Sequence, residues 1–251
     1  APLHQPPALD MIAETQKLYP EAPQIACFDT AFHHTIPELH RKFALPEWYE
    51  KEGIIRYGFH GLSYEYIVSR LPEVAPYNPL RRVIAVQLGG GSSACAMLNL
   101  QSVDTTMGFS TLDGLMMATR SGNIDPGVVL YLAGELEMKI EEISRLLYLE
   151  SGLLGVSGFS SHMKDLLASD RPKAKQAIDL YCHIAAKQIA SLLPSIGGLD
   201  ALIFSGGIGE NEKVITDRIT HHLRWVGDFE TFIIPTNEEL VLAKHCKKIL
   251  G

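Results

Sequence analysis

Apolar residues recur along the chain at two spacings, one typical of helices and one typical of buried strands. The helical spacing covers residues 9–18, 64–71, 127–133, 140–147, 174–193, 216–223 and 238–250. Continuous apolar runs predict strands over residues 24–29, 82–88, 94–98 and 199–204, with a further strand ending in 232–235. We expect Pro72 to end the second helix and Thr236 or Asn237 to cap the last one.

Two glycine-rich stretches follow strong apolar strands. Residues 89–91 join strand 82–88 to strand 94–98, which predicts an antiparallel hairpin. Residues 206–209 follow strand 199–204 and lead towards a helix. Because the remaining strands alternate with helices, the sequence predicts an α/β fold with a mixed sheet flanked by helices.

The same two stretches are candidate ligand sites. Glycine allows backbone N–H groups to approach an anion closely, and ligands of open α/β sheets collect outside the carboxyl ends of strands. Neither stretch fits the phosphate loop GxxxxGK[ST] or the dinucleotide fingerprint GxGxxG. Ile208 lies between glycines and can cover a flat base, which suits a nucleotide. A turn with no ligand remains the alternative for each stretch.

Composition narrows the classes of function. The chain has 251 residues, 46% of them hydrophobic, and a net charge of −7, with no run of basic residues longer than a Lys or Arg pair. This argues against a nucleic-acid partner. No apolar run is long enough to span a membrane and no signal peptide pattern is present. The four cysteines include no CxxC pair, so we expect reduced thiols and a cytoplasmic protein.

Ordered short motifs run along nearly the whole chain. They are APLH at 1–4, FDTAFH at 28–33, YGFHG at 57–61, DTTMGF at 104–109, GLMMATRSG at 114–122, IDP at 124–126, ESGLLG at 150–155, SGGIGEN at 205–211 and PTNEEL at 235–240. The set resembles the acetate and propionate kinases, members of the actin, Hsp70 and sugar kinase superfamily. The resemblance implies a duplicated RNase-H-like fold with ATP between two lobes, transfer of a phosphoryl group to a small carboxylate, and Mg²⁺ as the metal.

The resemblance also implies how the chain is divided. Residues 1–30 match a remnant of the N-terminal lobe, residues 31–236 match the complete C-terminal nucleotide-binding lobe, and residues 237–251 match a helix that returns to the first lobe. The family's opening strand, its phosphate turn and its substrate-binding arginine have no counterpart in this sequence. We therefore expect little activity from this chain alone, and by resemblance we expect a homodimer.

Four residues match the family's catalytic positions: Asp29, His60, Arg120 and His4. Arg120 would stabilise the oxygens of the transferred group, because its charge is permanent and its donors are forked. His60 would donate to the same group, and Asp29 would hold Arg120 or a metal-bound water. A salt-bridged surface arginine, a structural histidine, a turn-capping aspartate and a mobile terminal histidine are the competing interpretations.

The remaining matches concern ligands. The nucleotide would contact Gln87, Leu88, Gly89, Gly90 and Gly91, then His162, Met163 and Lys164, and finally Gly206, Gly207, Ile208, Gly209, Glu210 and Asn211. The acyl group would contact Leu3, Phe59 and Thr111. Glu238 would bind Mg²⁺, although an acidic residue that only favours the helix N-terminus is the alternative.

The sequence departs from the family pattern at four of these ligand positions and at one position beside them. Gln87 replaces a usual His, His162 and Lys164 replace a usual Asp and Arg, Thr111 replaces a usual Pro, and Asp113 replaces a common Glu. The changes weaken the expected grip on phosphate and ribose. A nucleotide-binding module that keeps the fold and lacks turnover is therefore the alternative to a kinase, and a related sugar or butyrate kinase is a third hypothesis.

Overall fold

A computed structural model describes residues 5–76 and 80–251, and its centre is one five-stranded sheet. The strands are β1 Arg82–Leu88, β2 Ser92–Leu98, β3 Gln101–Thr105, β4 Ala201–Ser205 and β5 Glu230–Ile233. Their order across the sheet is β3-β2-β1-β4-β5. Strands β1, β2 and β3 pair antiparallel, whereas β1, β4 and β5 pair parallel. The predicted mixed sheet and the hairpin of β1 with β2 are confirmed.

The described residues include thirteen α-helices. They are α1 Gln5–Leu18, α2 Glu38–Arg41, α3 Trp48–Lys51, α4 Gly61–Val74, α5 Pro126–Gly134, α6 Ile140–Leu149, α7 Gly152–Ser157, α8 Met163–Leu167, α9 Pro172–Ser191, α10 Leu193–Ile196, α11 Gly206–Asn211, α12 Lys213–His222 and α13 Glu238–Leu250. Two 3-10 helices span Ala31–Thr35 and Arg224–Val226. Asn237 caps α13 as predicted, because its side chain accepts a hydrogen bond from the Leu240 amide at 3.0 Å. None of these helices is long and apolar enough to cross a membrane.

Each strand in the middle of the sheet packs against a helical layer on both faces. On β1, Ile84 and Val86 face the core formed with α7, α8, α9 and α12, whereas Val83 and Ala85 face the core formed with α4. Successive side chains of a strand point to opposite faces, so a strand covered on both sides has no exposed polar face. This explains the continuous apolar runs of β1 and β4 in the sequence.

The predicted strand over residues 24–29 is wrong. No regular element covers residues 23–28, and the side chain of Phe28 is 69% exposed. A strand needs a neighbour that satisfies its backbone hydrogen bonds, and none of the five described strands pairs with this segment. The apolar run therefore has strand composition without a strand partner among the described residues.

Two further differences have local causes. Helix α4 continues past Pro72 to Val74, because proline removes only its own N–H and the Ala75 amide still donates to Leu71 O at 2.9 Å. Strand β3 was not predicted. Its hairpin turns through Asn99 and Leu100, both with positive φ, and a leucine there gives none of the usual glycine signal of such a turn.

The division of the chain at residues 30 and 236 stays a prediction. Helix α13 packs against α4 in the described structure. His245 of α13 also pairs with Glu65 of α4, with His245 Nε2 lying 2.9 Å from Glu65 Oε1.

The carboxyl ends of β1 and β4 approach each other closely at Gly206. Its φ is +79°, and a Cβ placed there would lie 2.6 Å from Leu88 O and 2.9 Å from Gln87 Nε2. The next residue, Gly207, has nothing within 4 Å of such a Cβ. Only the first of these two adjacent glycines is therefore required by the fold.

We expect Gly206→Ala to lower the free energy of unfolding by about 2 kcal/mol or more, since it combines left-handed backbone with a contact to a backbone carbonyl. The matched change Gly207→Ala should alter it by less than about 0.5 kcal/mol. Urea unfolding of both variants measures the difference. Equal losses in the two variants would contradict this account of the β1–β4 approach.

Candidate functional site

The N-terminus of α4 is fixed by Asp29. The Asp29 carboxylate accepts hydrogen bonds from the His60 amide at 2.6 Å and from the Leu62 amide at 3.4 Å. Its backbone carbonyl accepts from the Gly61 amide at 2.8 Å. An acidic side chain at this position satisfies N–H groups that the helix leaves unpaired. Asp29 thus binds the backbone around His60, and no ion pair of the described residues joins it to Arg120.

His60 takes a left-handed conformation, with φ of +59°, immediately before α4. Its Nδ1 lies 2.8 Å from Ser93 Oγ on β2. A Cβ placed on Gly91 would lie 3.3 Å from His60 Nε2 and 3.6 Å from Arg120 Nη1. The fold therefore brings His60, Arg120 and the turn between β1 and β2 together, although 60 residues separate the two side chains in sequence.

Arg120 is half-buried and its Nη1 donates to the carbonyl oxygen of Thr111 at 3.1 Å. Burial lowers the pKa of Arg120, an effect that Tyr148 opposes. A guanidinium nevertheless stays charged at any physiological pH. None of the ion pairs between described residues includes Arg120. A partly desolvated cation without a carboxylate partner is suited to binding an anionic ligand.

Glu238 reaches the same helix terminus from α13. The hydroxyl of Ser63, a buried residue in the first turn of α4, donates to Glu238 Oε1. Two carboxylates, those of Asp29 and Glu238, thus lie at the first turn of α4. Among the described residues no group of three or more His, Cys, Asp or Glu side chains is arranged to hold a metal ion.

The two glycine turns meet at the carboxyl ends of the parallel strands β1 and β4. A Cβ placed on Gly89 would lie 4.0 Å from the Gly207 amide, and Gly90 and Gly207 have open space beside them. Leu88, in contrast, is fully buried and belongs to the core. Ends of adjacent parallel strands are where α/β sheets bind ligands.

Residues 206–211 form the helical turn α11 instead of an irregular loop that leads to a helix. Glu210 Oε1 accepts hydrogen bonds from the Gly206 and Thr236 amides, both at 2.9 Å. Asn211 Nδ2 donates to Gly207 O at 2.8 Å. Glu210 and Asn211 therefore bind their own segment, and Gly209 is buried while Ile208 packs partly against the core.

The three residues expected near ribose lie at the start of α8. His162 and Lys164 are exposed, whereas Met163 is buried in the core, so only its backbone can contact a ligand. The backbone amide of His162 donates a hydrogen bond to Ser160 Oγ at 3.1 Å. Phe59 is half-buried beside His60. Leu3 and His4, two further residues predicted at the site, lie outside the described residues.

Two buried side-chain polar atoms of the described residues lack a hydrogen-bond partner, Gln87 Oε1 and Thr111 Oγ1. Both belong to candidate ligand residues, and Gln87 lies at the end of β1 while Thr111 contacts Arg120 through its carbonyl group. A buried polar atom left without a partner costs about 1–3 kcal/mol. The unsatisfied atoms of the described fold are thus concentrated at this site.

The sequence patterns missed four residues that build the site: His33, Ser63, Tyr64 and Ser93. His33 is 2% exposed, and its Nε2 lies 3.0 Å from Phe59 O while its Nδ1 lies 2.9 Å from Ser102 Oγ. Its position inside the FDTAFH motif was a signal that could have identified it. His33 therefore holds the backbone just before His60.

Acidification should destabilise the fold through His33. Burial lowers its pKa in the folded protein, while the unfolded chain titrates near the usual value of about 6.5. The stability that depends on neutral His33 is therefore present above about pH 6.5 and is lost as the pH falls below it, by at most about 1.4 kcal/mol per pH unit. Urea unfolding at about pH 7.5 and at about pH 5.5 measures this loss.

His33→Gln should lose less stability than the wild type over that interval. The neighbouring His34 is exposed, so His34→Gln is the matched control and should keep the wild-type loss. If the two variants show the same pH dependence, His33 is not the buried titrating group.

The chain is similar to known proteins along nearly its whole length. A family model described as the Acetokinase family matches residues 1–231. The chain is 49% identical to an acetate kinase of Rhodopseudomonas palustris, covering 98% of this chain and 67% of that protein. It is 45% identical to an acetate kinase of Rickettsia felis, covering 100% of this chain and 70% of that protein. The chain therefore spans roughly two thirds of these relatives' length.

Two solved structures have the same fold. A propionate kinase from Francisella tularensis superimposes with a TM-score of 0.89 at 37% identity, over 95% of this chain and 68% of that one. Porphyromonas gingivalis acetate kinase superimposes with a TM-score of 0.90 at 32% identity, over 100% of this chain and 70% of that one. The expected superfamily fold is confirmed, and the chain belongs to the acetokinase family of phosphotransferases that act on a carboxyl group.

Proposed function

We propose that this chain transfers the γ-phosphoryl group of ATP to a short carboxylate, acetate or propionate, giving ADP and an acyl phosphate. The observation that carries the proposal is the approach of His60 Nε2 and Arg120 Nη1 to one point beside Gly91. That point lies at the strand ends where the two glycine turns meet. Donors aimed at the place where charge develops are the main requirement of phosphoryl transfer.

Arg120 and His60 are the residues proposed to stabilise the transferred group. Arg120 supplies a permanent charge, and His60 supplies a hydrogen bond from Nε2. Asp29 acts on His60 through the backbone, since its carboxylate binds the His60 amide. A carboxylate substrate has a pKa of about 4 to 5 and is already ionised near neutral pH, so no residue has to remove a proton from it.

ATP and ADP are proposed to lie across the ends of β1 and β4. The open backbone at Gly90 and Gly207 leaves room for phosphate or ribose, and Gln87 offers an unsatisfied carboxamide oxygen nearby. His162 and Lys164, both exposed, replace the carboxylate and the arginine usual in the family. We therefore expect weaker nucleotide binding than the family pattern gives.

Mg²⁺ is proposed to bind Glu238. This carboxylate also accepts a hydrogen bond from Ser63 in the first turn of α4. The metal commonly takes one or two carboxylates and fills its other positions with water and phosphate oxygens. A single half-buried carboxylate therefore fits Mg²⁺ better than a metal that needs three protein ligands. When bound, the metal would neutralise phosphate charge.

The acyl group is proposed to lie beside Phe59 and Thr111, next to Arg120, with Leu3 and His4 as further members of the site.

The chain is proposed to consist of a lobe remnant at 1–30, a nucleotide-binding lobe at 31–236 and a returning helix at 237–251. The packing of α13 on α4 supports the last part. The four free thiols support a cytoplasmic protein.

A homodimer is proposed to form through α5 and the segment that follows it. Helix α5 has no charged residue and no buried residue, and Leu130 is 73% exposed. Leu136 and Ile140, just beyond the helix, are also exposed. Glu135, Glu137 and Lys139 follow α5 in the sequence, so a second copy related by a twofold axis offers both an apolar partner and opposite charges.

Leu130→Glu should disrupt the dimer, because it places a charge in the centre of the apolar face. We expect a rise of at least about tenfold in the dissociation constant, measured by sedimentation equilibrium. Leu39→Glu is the control, since Leu39 is equally exposed but lies on α2. A monomeric wild type, or equal effects of the two changes, would rule out this interface.

The reaction is tested by incubating the chain with Mg-ATP, acetate or propionate, and hydroxylamine, and measuring acyl hydroxamate. We expect slow turnover of the wild-type chain and a further loss of about 100- to 1,000-fold in Arg120→Ala. Arg145→Ala is the control, because Arg145 is exposed on α6. Calorimetric binding of ATP without any hydroxamate would favour the alternative, a nucleotide-binding module without turnover.

A further inference from the structure

Helices α9 and α12 pack side by side, away from the proposed reaction site. Ile215 and Ile219 of α12 lie in the same buried cluster as Ile178 and Ala185 of α9. Protein interiors are close-packed, so this shared core fixes how the two helices lie relative to each other. Side chains four residues apart on a helix lie one turn apart on the same face. The exposed residues along the seam between α9 and α12 therefore meet at a fixed spacing.

Two contacts between the helices follow one another along this seam. Arg218 of α12 donates from Nη1 to Asp179 Oδ1 of α9 at 2.9 Å. Four residues further along each helix, the imidazole rings of His183 and His222 face each other. Their ring centres are 6.2 Å apart and their planes make an angle of 82°. The first contact joins opposite charges, and the second brings together two side chains that can bind a metal.

Both imidazoles are available to a ligand. His183 and His222 are exposed. Among the described residues, neither ring takes part in a hydrogen bond or an ion pair. A neutral imidazole keeps one nitrogen that accepts, and this nitrogen is a good ligand for Zn²⁺, Cu²⁺ and Ni²⁺.

The spacing of the two rings is compatible with one shared metal ion. A metal–nitrogen bond is about 2.0–2.1 Å long and a ring nitrogen lies about 1.1 Å from the ring centre, so two rings on one ion have centres about 4.5 to 6.3 Å apart. The observed 6.2 Å lies at the wide end of this range. Exposed side chains change rotamer readily, so small rotations can bring both nitrogens to the ion.

The neighbours of the pair do not take over its role. His221 precedes His222, with 6.3 Å between ring centres, but adjacent residues of a helix point to different sides. Cys182 is buried, and burial raises the pKa of its thiol to about 11, so it offers no thiolate at the surface. The positive charge of Arg218 would repel a cation, but Asp179 is paired with it.

We propose that His183 and His222 bind one divalent transition-metal ion that prefers imidazole, such as Ni²⁺ or Zn²⁺, and that this ion ties α12 to α9. No group of three or more metal-binding side chains is present among the described residues, so water fills the other positions of the ion. Helix α12 follows α11, the turn proposed to contact the nucleotide. The ion therefore stabilises the segment that carries this turn, whether or not the chain is a kinase.

The test is calorimetric titration of the full chain with NiCl₂ at about pH 7.5, because a ligating imidazole must be neutral. Ni²⁺ is the probe because it suits imidazole ligands and does not oxidise thiols. Even changes beyond the direct ligands cost metal sites about 10- to 100-fold, so we expect His183→Gln and His222→Gln each to weaken binding at least about tenfold. His221→Gln is the matched control and should keep the wild-type affinity.

The stoichiometry distinguishes a shared ion from two separate ones. A shared ion is lost in either single variant, and the double variant loses no more than that. Two separate single-histidine sites would lose one of two equivalents in each variant, which would overturn the proposal. A wild type that binds no Ni²⁺, or an equal loss of affinity in His221→Gln, would overturn it as well.

Urea unfolding tests whether the ion ties the two helices. A ligand that binds only the folded state stabilises it, so Ni²⁺ should raise the urea midpoint of the wild type and of His221→Gln, but not that of His183→Gln. Without metal, the three midpoints should agree, because these rings are exposed. Ni²⁺ binding with an unchanged wild-type midpoint would rule out the tie. The hydroxamate assay takes no part in these measurements, so failure of the kinase proposal leaves their outcome unaffected.

Discussion

The parallel pairing of β1 with β4 is the constraint on which the site depends. Strand β1 pairs with β2 on one side and with β4 on the other, so the turns that leave β1 and β4 open at the same end of the sheet. The close approach at Gly206 holds these ends together. His60 and Arg120 come from segments outside this pair of strands, and both are positioned against the turn at Gly91. A change in the β1–β4 register would therefore separate the phosphate turns from the side chains proposed to act with them.

The sequence predicted the fully buried strands and failed where a strand is defined by its pairing. Strands β1, β2 and β4 read as apolar runs because helices cover both faces of the sheet. Residues 24–29 have the same composition but no neighbouring strand among the described residues, and composition contains no information about a partner. Strand β3 was missed for the opposite reason, since it has a partner and its turn at Asn99 and Leu100 has no glycine. Local patterns thus report burial well and pairing poorly.

The site shows a similar limit. Asp29, His60 and Arg120 were identified because motifs carry them, and motifs are local. Tyr64 and Ser93 were not, because 29 residues separate the two hydroxyls that meet. Ser63 meets Glu238 across 175 residues. Hydroxyl side chains are common and have no spacing rule of their own. Only the folded chain indicates which of them meet.

Two departures from the family pattern coincide with buried polar atoms that lack a hydrogen-bond partner. Gln87 and Thr111 are two such departures, and their side chains carry the two buried polar atoms that lack a partner in the described residues. At about 1–3 kcal/mol each, these atoms cost stability that the fold does not recover from its own contacts. The hydrogen-bonded group of Tyr64, Ser93 and His60 has the opposite property, since each of its hydroxyls has a partner. The interior side of the site is therefore complete, and the ligand side is where this chain differs from its relatives.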